Sequence, residues 1–544
     1  MAIFSKILNR YIYPRMFIIG DMLPPVGALT IIGTVVLCFL SFYLFKWIGG
    51  DNNVRIRDYI KNHSWAPIKV SSRSWYCSIC ESLLLNGIGV YCDCCGVCAD
   101  SECIKKANMK LQCKIVSSNN ETHLHHWIKG NLPLGAMCSI CNEDCSMEPG
   151  LVDYQCCWCQ RTVHSSCLNQ VEQECDFGRF KNHIVPPWSV QVARRKGAIQ
   201  KHLLLRGVRD PGWKNWKPLI VIANKKSGNN DGGLVLSEFR KYLNPVQVID
   251  LNDRKPAAAL QWCVTMAPKQ LRILVAGGDG TINWVLTTSY KLDLDPQPLL
   301  SIIPLGTGND LSRVLGWGQE NSSEVDVDKI LDCIQKATPS HLDRWKVEII
   351  SHRHLGLRIP TDTLYMYNYF SVGVDAQVCL NFHKTRDSPY YLFGSRIFNK
   401  LLYLCFGTQQ VVTADCKNLE QRLDLFVDGR LVELPELESI VVVNIPSWGA
   451  GVNLWNVSNL SSPYRPQSYH DGILEVVGIF SSFHVAQLQM GLSSPVYLGQ
   501  GKKIEMKLKK KVPVQIDGEP WEQAPSLIKI VYANQCPVLI NHPD

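Results

Sequence analysis

Residues 273–281 read ILVAGGDGT, an apolar run that ends in a glycine-rich turn. The same order occurs at 219–228, where LIVIA precedes NKKSG, and at 299–310, where LLSII precedes PLGTGND. Short apolar runs bounded by glycines and followed by helical periodicity are typical of buried parallel strands. The pattern predicts an α/β sheet over 215–344, with the three turns at the carboxyl ends of its strands.

Glycines in such turns let backbone N–H groups approach phosphate oxygens, and a helix that begins there favours anions. We therefore predict a nucleotide site formed by Asn224, Ser227, Gly228, Gly277, Gly278, Gly280, Thr281, Gly306, Thr307, Gly308, Asn309 and Asp310. The chain has no Gly-x-x-x-x-Gly-Lys-Ser/Thr loop and no His-Arg-Asp with Asp-Phe-Gly pair, so P-loop enzymes and protein kinases are disfavoured. A non-catalytic nucleotide-binding fold stays open.

The chain has 544 residues, of which 46% are hydrophobic and 19% are charged, and its net charge is +8. This length allows about three to five domains, and the composition excludes a disordered, collagenous or fibrous protein. Of the 23 cysteines, sixteen lie between Cys77 and Cys175. Cys-x-x-Cys pairs with interspersed His in a long chain indicate zinc and a reducing compartment rather than disulfides.

Two Cys-rich stretches, 60–115 and 124–177, each have the ligands for two zinc ions, because a structural zinc takes four Cys or His ligands. The second stretch offers His125, Cys138, Cys141, Cys156, Cys159, His164, Cys167 and Cys175. The first offers His63, Cys77, Cys80, Cys92, Cys95, Asp100, Cys103 and Cys113, and the Asp stands where the second His is expected. We predict that Asp100 binds zinc through a carboxylate oxygen. A RING or PHD arrangement is disfavoured because each stretch begins with a His ahead of its first Cys pair.

The ligand order resembles the phorbol-ester/diacylglycerol-type zinc finger. The resemblance implies interleaved sites, in which one ion is held by His125, Cys156, Cys159 and Cys175, and the other by Cys138, Cys141, His164 and Cys167. Members that capture diacylglycerol usually carry a Gln-Gly pair before the second Cys pair, and here Ile88-Gly89 and Val152-Asp153 stand in its place. We therefore favour folding and docking roles for the fingers over lipid capture.

The segments 277–281, 304–311, 368–375 and 514–521 resemble the diacylglycerol kinase family. Two fingers, a single N-terminal apolar segment and no calcium-binding module are most similar to its epsilon type. The resemblance implies a two-domain lipid kinase, in which a mainly β domain over 345–535 follows the α/β domain.

The resemblance also implies an activity. With ATP and Mg²⁺, the chain would phosphorylate 1,2-diacylglycerol to phosphatidic acid, which attenuates diacylglycerol signalling and feeds phosphatidylinositol turnover. A sphingolipid or monoacylglycerol kinase stays open as an alternative, and so does a non-catalytic lipid-responsive scaffold.

Five carboxylates are predicted to act in this site. Asp279 interrupts a phosphate loop, so we expect it to accept a proton or to organise a metal. Asp517 and Glu519, two residues apart on a turn, are predicted as a general base or as Mg²⁺ ligands, with a solvated hairpin turn as the alternative. Asp375 and Asp471 are predicted as magnesium ligands or structural carboxylates.

Residues 22–45 carry no charge, and the sequence predicts a single membrane helix over about 24–46. A bent helix in one leaflet is the alternative, because two prolines stand at its entrance. ATP and reduced thiols would place the catalytic part in the cytosol, at the endoplasmic reticulum or the plasma membrane. The basic linker over 178–214 is predicted to contact membrane lipids rather than nucleic acid. Aromatic residues between 390 and 406 are predicted to line an acyl-chain site, with core packing as the alternative.

Overall fold

The structure is a computed structural model that describes residues 54–57, 63–68, 74–84, 89–145, 148, 150–194, 202–228, 231–320, 325–351, 361–386, 416–456 and 464–542. All of these residues belong to one compact unit, Val54–Asp544. The aromatic stretch predicted to line an acyl-chain site lies outside the described residues.

The predicted membrane helix over 24–46 also lies outside the described residues. Among the helices that the structure describes, none combines the length and the apolar character that a bilayer crossing needs. The longest of them have 13 residues, which is about 20 Å against a hydrocarbon core of about 30 Å. This finding contradicts the predicted single-helix membrane anchor and the localisation based on it.

Two small fingers precede the catalytic region, and each is built on a three-stranded antiparallel sheet. In the second finger, three of the four residues in the buried cluster are Cys, so bound metal must supply much of the folding free energy. The elements up to the end of the linker are β1 Val54–Arg57, β2 Trp65–Pro67, β3 Trp75–Tyr76, β4 Leu83–Leu84, β5 Gly89–Cys92, β6 Cys98–Asp100, α1 Ile104–Lys110, β7 Trp127–Lys129, β8 Tyr154–Cys156, β9 Thr162–Val163, β10 Val190–Arg194 and β11 His202–Val208.

Four parallel strands form the core of the nucleotide domain, in the order β13-β12-β14-β15. Nearly every residue of these strands is buried because helices cover the sheet. The predicted α/β sheet is thus confirmed. Its elements are β12 Leu219–Ala223, α2 Asp231–Tyr242, β13 Val248–Asp250, α3 Pro256–Ala259, α4 Gln261–Met266, β14 Arg272–Gly277, α5 Asp279–Lys291, β15 Leu299–Pro304, α6 Asp310–Val314 and α7 Val327–Lys336.

The mainly β domain is a sandwich whose two inner faces share one apolar core. One face is the six-stranded sheet β23-β22-β21-β18-β25-β26, and the other continues the parallel sheet through β27, β24, β19 and β20. The elements are β16 Thr338–Ser351, β17 Asp362–Met366, β18 Tyr369–Gly373, α8 Val374–Arg386, α9 Leu419–Arg422, β19 Leu423–Val427, β20 Arg430–Val432, β21 Ser439–Val443, β22 Leu474–Ile479, α10 Ser482–Gln489, β23 Val496–Gly501, β24 Lys503–Leu508, β25 Val512–Ile516, β26 Glu519–Gln523 and β27 Ser526–Ile540.

One long antiparallel pair joins the two domains. β16 and β27 pair along 14 and 15 residues, from Thr338 opposite Ile540 to Ser351 opposite Ser526. β27 also pairs with β15 of the nucleotide domain and with β24 of the sandwich. The boundary predicted at 344/345 therefore falls inside a continuous strand.

A buried carboxyl on β22 makes the stability of the protein depend on pH. Both oxygens of Glu475 accept amide hydrogen bonds, from Gln467 at 2.9 Å and from Gln500 at 3.0 Å. Burial raises the pKa of Glu475 to about 8. Because the unfolded side chain ionises near pH ~4.3, folding retains a proton that the unfolded chain releases. The free energy of unfolding should therefore fall as the pH rises toward 8.

Glu475→Gln removes this titration. We expect the free energy of unfolding of the variant, relative to the unmutated protein, to increase by about 2 kcal/mol between pH 6 and pH 8. Denaturant unfolding at several pH values measures the difference. Glu436→Gln, at an exposed position, is the control, and parallel pH profiles for Glu475→Gln and the unmutated protein would contradict the assignment.

Candidate active site and metal centres

The three predicted loops meet at one edge of the parallel sheet. Register pairs Ala223 with Ala276 across β12 and β14, and Gly277 with Pro304 across β14 and β15. The second and third loops touch through their backbones. A Cβ atom added to Gly306 would lie 2.6 Å from the Cα of Gly278, so a side chain has no room there.

The first loop is held by its own polar groups and by α2. The side chain of Asn224 accepts a hydrogen bond from the N–H of Lys226 at 3.1 Å, and the Ser227 N–H donates to the Asn224 carbonyl at 2.9 Å. Gly228 has a left-handed φ of 60°. Behind the loop, a Cβ on Gly232 would lie 2.0 Å from the Asn224 carbonyl oxygen. Only a glycine in α2 lets the helix approach the loop this closely.

Asp279 begins α5 between the second and third loops. Its carboxylate accepts hydrogen bonds from the N–H groups of Asp310 and Leu311, both at 3.1 Å, and from the side-chain amide of Asn368 at 3.2 Å. Burial raises the pKa of Asp279. Gly280 follows, and Thr281 packs its side chain against Gly277, where a Cβ would lie 2.6 Å away.

Asp310 joins the two domains. Its Oδ1 accepts hydrogen bonds from the Ser447 hydroxyl at 2.6 Å and from the N–H groups of Ala450 and Gly451 at 3.1 Å. Burial, together with the nearby charge of Asp279, raises the pKa of Asp310 to about 6. The loop 447–451 of the β domain is thereby fixed over the third phosphate loop.

The carboxylates of Asp279 and Asp310 converge beside Gly308. A Cβ on this glycine would lie 3.5 Å from Oδ2 of Asp279 and 3.3 Å from Oδ2 of Asp310. Two carboxylate oxygens near one point are the kind of donor set that a magnesium ion takes. Thr307 lies beside them, partly exposed at the tip of the loop.

Asn309 supports the loop instead of facing a ligand. The residue is buried, its backbone is left-handed with a φ of 54°, and its Oδ1 accepts the Gly306 N–H at 2.8 Å. Its Nδ2 donates to the carbonyls of Gly306 and Gln319 at 3.0 and 2.8 Å. The geometry therefore favours a supporting role for the Asn309 side chain over the predicted contact with a nucleotide, because its amide is occupied within the loop.

Asp517 has its carboxylate saturated by donors. The N–H groups of Tyr367, Asn368 and Tyr369 donate to it at 2.9, 2.8 and 3.0 Å, and the side chain of Asn283 donates at 2.7 Å. A carboxylate has about four lone-pair sites, so little capacity is left for a substrate. Burial raises the pKa of Asp517 to about 7 although these donors oppose the shift. The geometry favours a clamp between the domains over the predicted general base or metal ligand.

Glu519 is exposed and points at the second loop. Its Oε1 would lie 2.7 Å from a Cβ on Gly280. The structure therefore brings Glu519 next to Asp279 from the opposite domain, and this carboxylate is open to solvent and ligands.

Asn368 begins the segment 368–375, and its role in the site was not predicted from the sequence. The residue is 3% exposed, and its Oδ1 has no hydrogen-bond partner among the residues that the structure describes. Its Nδ2 is occupied by Asp279. An unpaired buried acceptor is costly, so Oδ1 is suited to receive a donor from a ligand.

Asp375 and Asp471 serve the fold. Asp375 is buried and accepts hydrogen bonds from Ser371 at 2.6 Å and from the amide of Gln515. Asp471 accepts the N–H of Ile473 at 3.0 Å in a local turn. The contacts of both residues favour a structural role over the binding of magnesium.

Among the candidate metal-ligand groups of the described residues, four combine ligands that the sequence predicts for the fingers. Three of them are complete sets of four, with ligand atoms within 4.8 Å of one another: His63, Cys92, Cys95 and Cys113; His125, Cys156, Cys159 and Cys175; Cys138, Cys141, His164 and Cys167. These sets fit the tetrahedral coordination of structural zinc. The interleaved arrangement implied by the resemblance therefore matches the geometry.

The fourth group contains Cys77, Cys80 and Cys103 without Asp100. The Asp100 carboxylate instead accepts hydrogen bonds from the Ser101 hydroxyl at 3.1 Å and the Glu102 N–H at 3.0 Å. The geometry favours a turn-forming role for Asp100 over the predicted role as fourth ligand, because both hydrogen bonds hold its Oδ1 at the start of the following turn.

This geometry predicts different metal contents for two variants. Cys103→Ser should lower the zinc content by one ion per chain, whereas Asp100→Ala should leave it unchanged, because only the thiolate belongs to the ligand group. Mass spectrometry of the metal in the purified, folded proteins measures the content. Equal loss of zinc in both variants would restore Asp100 as a ligand.

The sequence reasoning also missed the loop 447–451. The signal was present, since a polar, glycine-containing turn, SWGAG, follows the apolar strand at 439–443. This strand lies far along the chain from the three phosphate loops, so spacing alone did not connect them.

Comparisons with known proteins match most of the chain. The family described as "Diacylglycerol kinase catalytic domain" matches residues 218–345, and "Diacylglycerol kinase accessory domain" matches 365–520. The family "Phorbol esters/diacylglycerol binding domain (C1 domain)" matches 125–178, which is the second finger.

Individual relatives give the same picture. The chain is 32% identical to "Probable diacylglycerol kinase 3" of Caenorhabditis elegans over 88% of its own length and 64% of the relative. It is 31% identical to human "Diacylglycerol kinase zeta" over 87% of this chain and 56% of that protein, and 29% identical to "Diacylglycerol kinase 2" of Arabidopsis thaliana over 88% and 84%. The chain thus spans less than two thirds of the first two relatives. A diacylglycerol kinase structure from Bacillus anthracis covers 61% of this chain and 99% of its own at 18% identity, with a TM-score of 0.37.

Proposed function

We propose that the chain is a diacylglycerol kinase, on the evidence of the two family models and the relatives that it matches, and that it transfers the γ-phosphoryl group of ATP to the free hydroxyl of a 1,2-diacylglycerol. In this step the bond between the γ-phosphorus and the β–γ bridging oxygen breaks, and a bond from the hydroxyl oxygen to phosphorus forms. The hydroxyl proton passes to a carboxylate. The products are ADP and phosphatidic acid.

The observation that carries this proposal is the position of Asp279. Its carboxylate lies between two glycine loops whose backbones touch, and Glu519 approaches it from the β domain. Phosphoryl transfer needs a positioned alcohol and charge stabilisation more than covalent chemistry. The loops admit phosphate oxygens and can stabilise their charge. The carboxylate beside them, with its raised pKa, can orient the alcohol and accept its proton.

Asp279 and the side chains around it have different roles in the proposed phosphoryl transfer. We assign the proton to Asp279, because burial raises its pKa and because its partners fix its orientation. The unpaired Oδ1 of Asn368 is suited to accept a hydrogen bond from another donor of a bound ligand. Asp310, whose Oδ2 lies beside Gly308, would hold Mg²⁺, which when bound would neutralise charge on the phosphates.

The acyl-chain preference and the epsilon type are proposals more specific than the kinase activity itself. The two fingers ahead of the catalytic region support the epsilon type, whereas a compared relative carries the name zeta. Contact of the exposed lysines of the first finger with membrane lipids is also proposed, since each cation near an anionic surface contributes about 1 kcal/mol.

The proposed function is tested with labelled ATP and Mg²⁺ in mixed micelles that contain diacylglycerol, monoacylglycerol, sphingosine or ceramide. We expect label in phosphatidic acid and little in the other lipids. Label in another lipid would change the substrate, and a folded, zinc-loaded protein that labels none of them would contradict the kinase assignment.

A further inference from the structure

We propose that Lys114, in the first finger, is a positioning residue for the nucleotide. It holds the carboxyl end of α2, whose amino end supports the loop 224–228. The inference rests on the proposed function, since it assumes that this loop contacts ATP, and it gives the fingers a role in nucleotide affinity.

The contacts of Lys114 are those of a helix cap. The side chain is completely buried, at 0% exposure. Its Nζ donates to the carbonyl oxygens of Arg240 at 3.2 Å, Lys241 at 2.6 Å and Leu243 at 2.9 Å. These carbonyls end α2, where the helix leaves acceptors without intrahelical donors and favours a positive charge. An ammonium group has three donors, so Lys114 satisfies all three carbonyls.

Both zinc fingers fix the position of this lysine. Lys114 follows the zinc-type ligand Cys113 of the first finger in sequence. Its ammonium lies 4.3 Å from the ring centre of Trp158, which stands between the ligands Cys156 and Cys159 of the second finger. The lysine is therefore anchored to metal sites of both fingers.

Further side chains of the fingers contact α2. Three contacts reach its last two turns: Asp93 with Arg240 at 2.5 Å, the Tyr91 hydroxyl with Ser237 at 2.7 Å, and the Gln160 amide with the Lys241 carbonyl at 3.0 Å. The ion pair is nearly buried, with side-chain exposures of 8% and 13%. This end of α2 is thus held at several points, with the lysine at their centre.

The other end of α2 is in direct contact with the first phosphate loop. The Asp231 N–H donates to the Gly228 carbonyl at 3.0 Å, and the Gly232 N–H donates to the Ser227 carbonyl at 3.2 Å. Gly232 lies against the Asn224 carbonyl with no room for a Cβ. A helix of 12 residues is a rigid rod of about 18 Å, so a shift at its carboxyl end moves the loop.

The test measures equilibrium binding of Mg·ATP to the full chain by calorimetry, together with the KM values for ATP and diacylglycerol. Lys114→Met keeps the length of the side chain but leaves the three carbonyls without a donor. We expect its Kd for Mg·ATP to rise about tenfold, with zinc content and the KM for diacylglycerol unchanged. Lys114→Arg should restore part of the affinity. Lys129→Met, at an exposed position of the second finger, is the control.

An unchanged Kd for Mg·ATP in Lys114→Met would overturn the inference, and so would an equal loss for both substrates. If that variant does not fold, Gln160→Asn decides, because the shorter amide keeps the left-handed backbone but cannot reach Lys241. A Kd raised about threefold in Gln160→Asn supports the inference, and an unchanged one overturns it. An unmutated protein that binds Mg·ATP but labels no lipid contradicts the proposed function alone, since the binding comparison still tests Lys114.

Discussion

Asp279→Asn is expected to lower kcat by about a thousandfold or more, because the amide cannot accept the proton of the lipid hydroxyl. The side-chain NH₂ group of the asparagine would also face a backbone N–H group, of Asp310 or Leu311, that donates to the carboxylate of Asp279. Because two donors cannot pair, a local rearrangement accompanies the loss of activity. The labelled-phosphate assay measures kcat, and calorimetry measures the affinity for Mg·ATP.

The matched control for Asp279→Asn is Asp253→Asn, an exposed carboxylate of the same domain, which should keep normal turnover. Retention of more than a tenth of the activity by a folded Asp279→Asn protein would remove the assignment of the proton to this residue. The reaction would then need another acceptor, and Glu519 is the next carboxylate that the structure offers.

Gly306→Ala should reduce kcat/KM for ATP by about a hundredfold or more, because the added methyl group would lie 2.6 Å from the Gly278 Cα and 2.8 Å from the Asn309 Oδ1. The nearest obstacle is backbone, so no rotamer change relieves the contact. The two loops must separate, and both phosphate-facing segments move. Steady-state kinetics with varied ATP measures the effect.

Gly233→Ala is the control for this substitution. Its Cβ would make only an ordinary contact, 3.5 Å from the Lys225 side chain, and alanine is favoured over glycine within a helix. We expect normal kinetics and a slightly higher melting temperature. A Gly306→Ala enzyme with an unchanged KM for ATP and an unchanged kcat would show that the approach of the two loops is not needed.

Local sequence predicted the parts of the site that lie at the ends of consecutive strands. Each apolar run followed by a glycine-rich turn became a buried parallel strand and a loop, because that pattern depends only on neighbours in the chain. Sequence did not predict that loop 447–451 would bind Asp310, or that the fingers would hold α2. Those contacts depend on how distant elements pack, which spacing does not encode.

The roles of individual polar residues were the least predictable. Asp517 and Asn309 have the side chains of ligand-binding residues, yet the surrounding donors and acceptors already satisfy them. Asp100 has the chemistry of a zinc ligand, but one of its carboxylate oxygens accepts hydrogen bonds from the following turn. Such competition for hydrogen bonds appears only in three dimensions.

The pairing of β27 also has a consequence for synthesis. Residues 526–540 complete the nucleotide sheet beside β15, although they leave the ribosome long after that strand. Until they arrive, the nascent chain exposes unpaired edges of β15 and β16, which are prone to pair with other chains. The nucleotide sheet therefore cannot gain its full set of strands until β27, the last described strand of the sandwich, has been made.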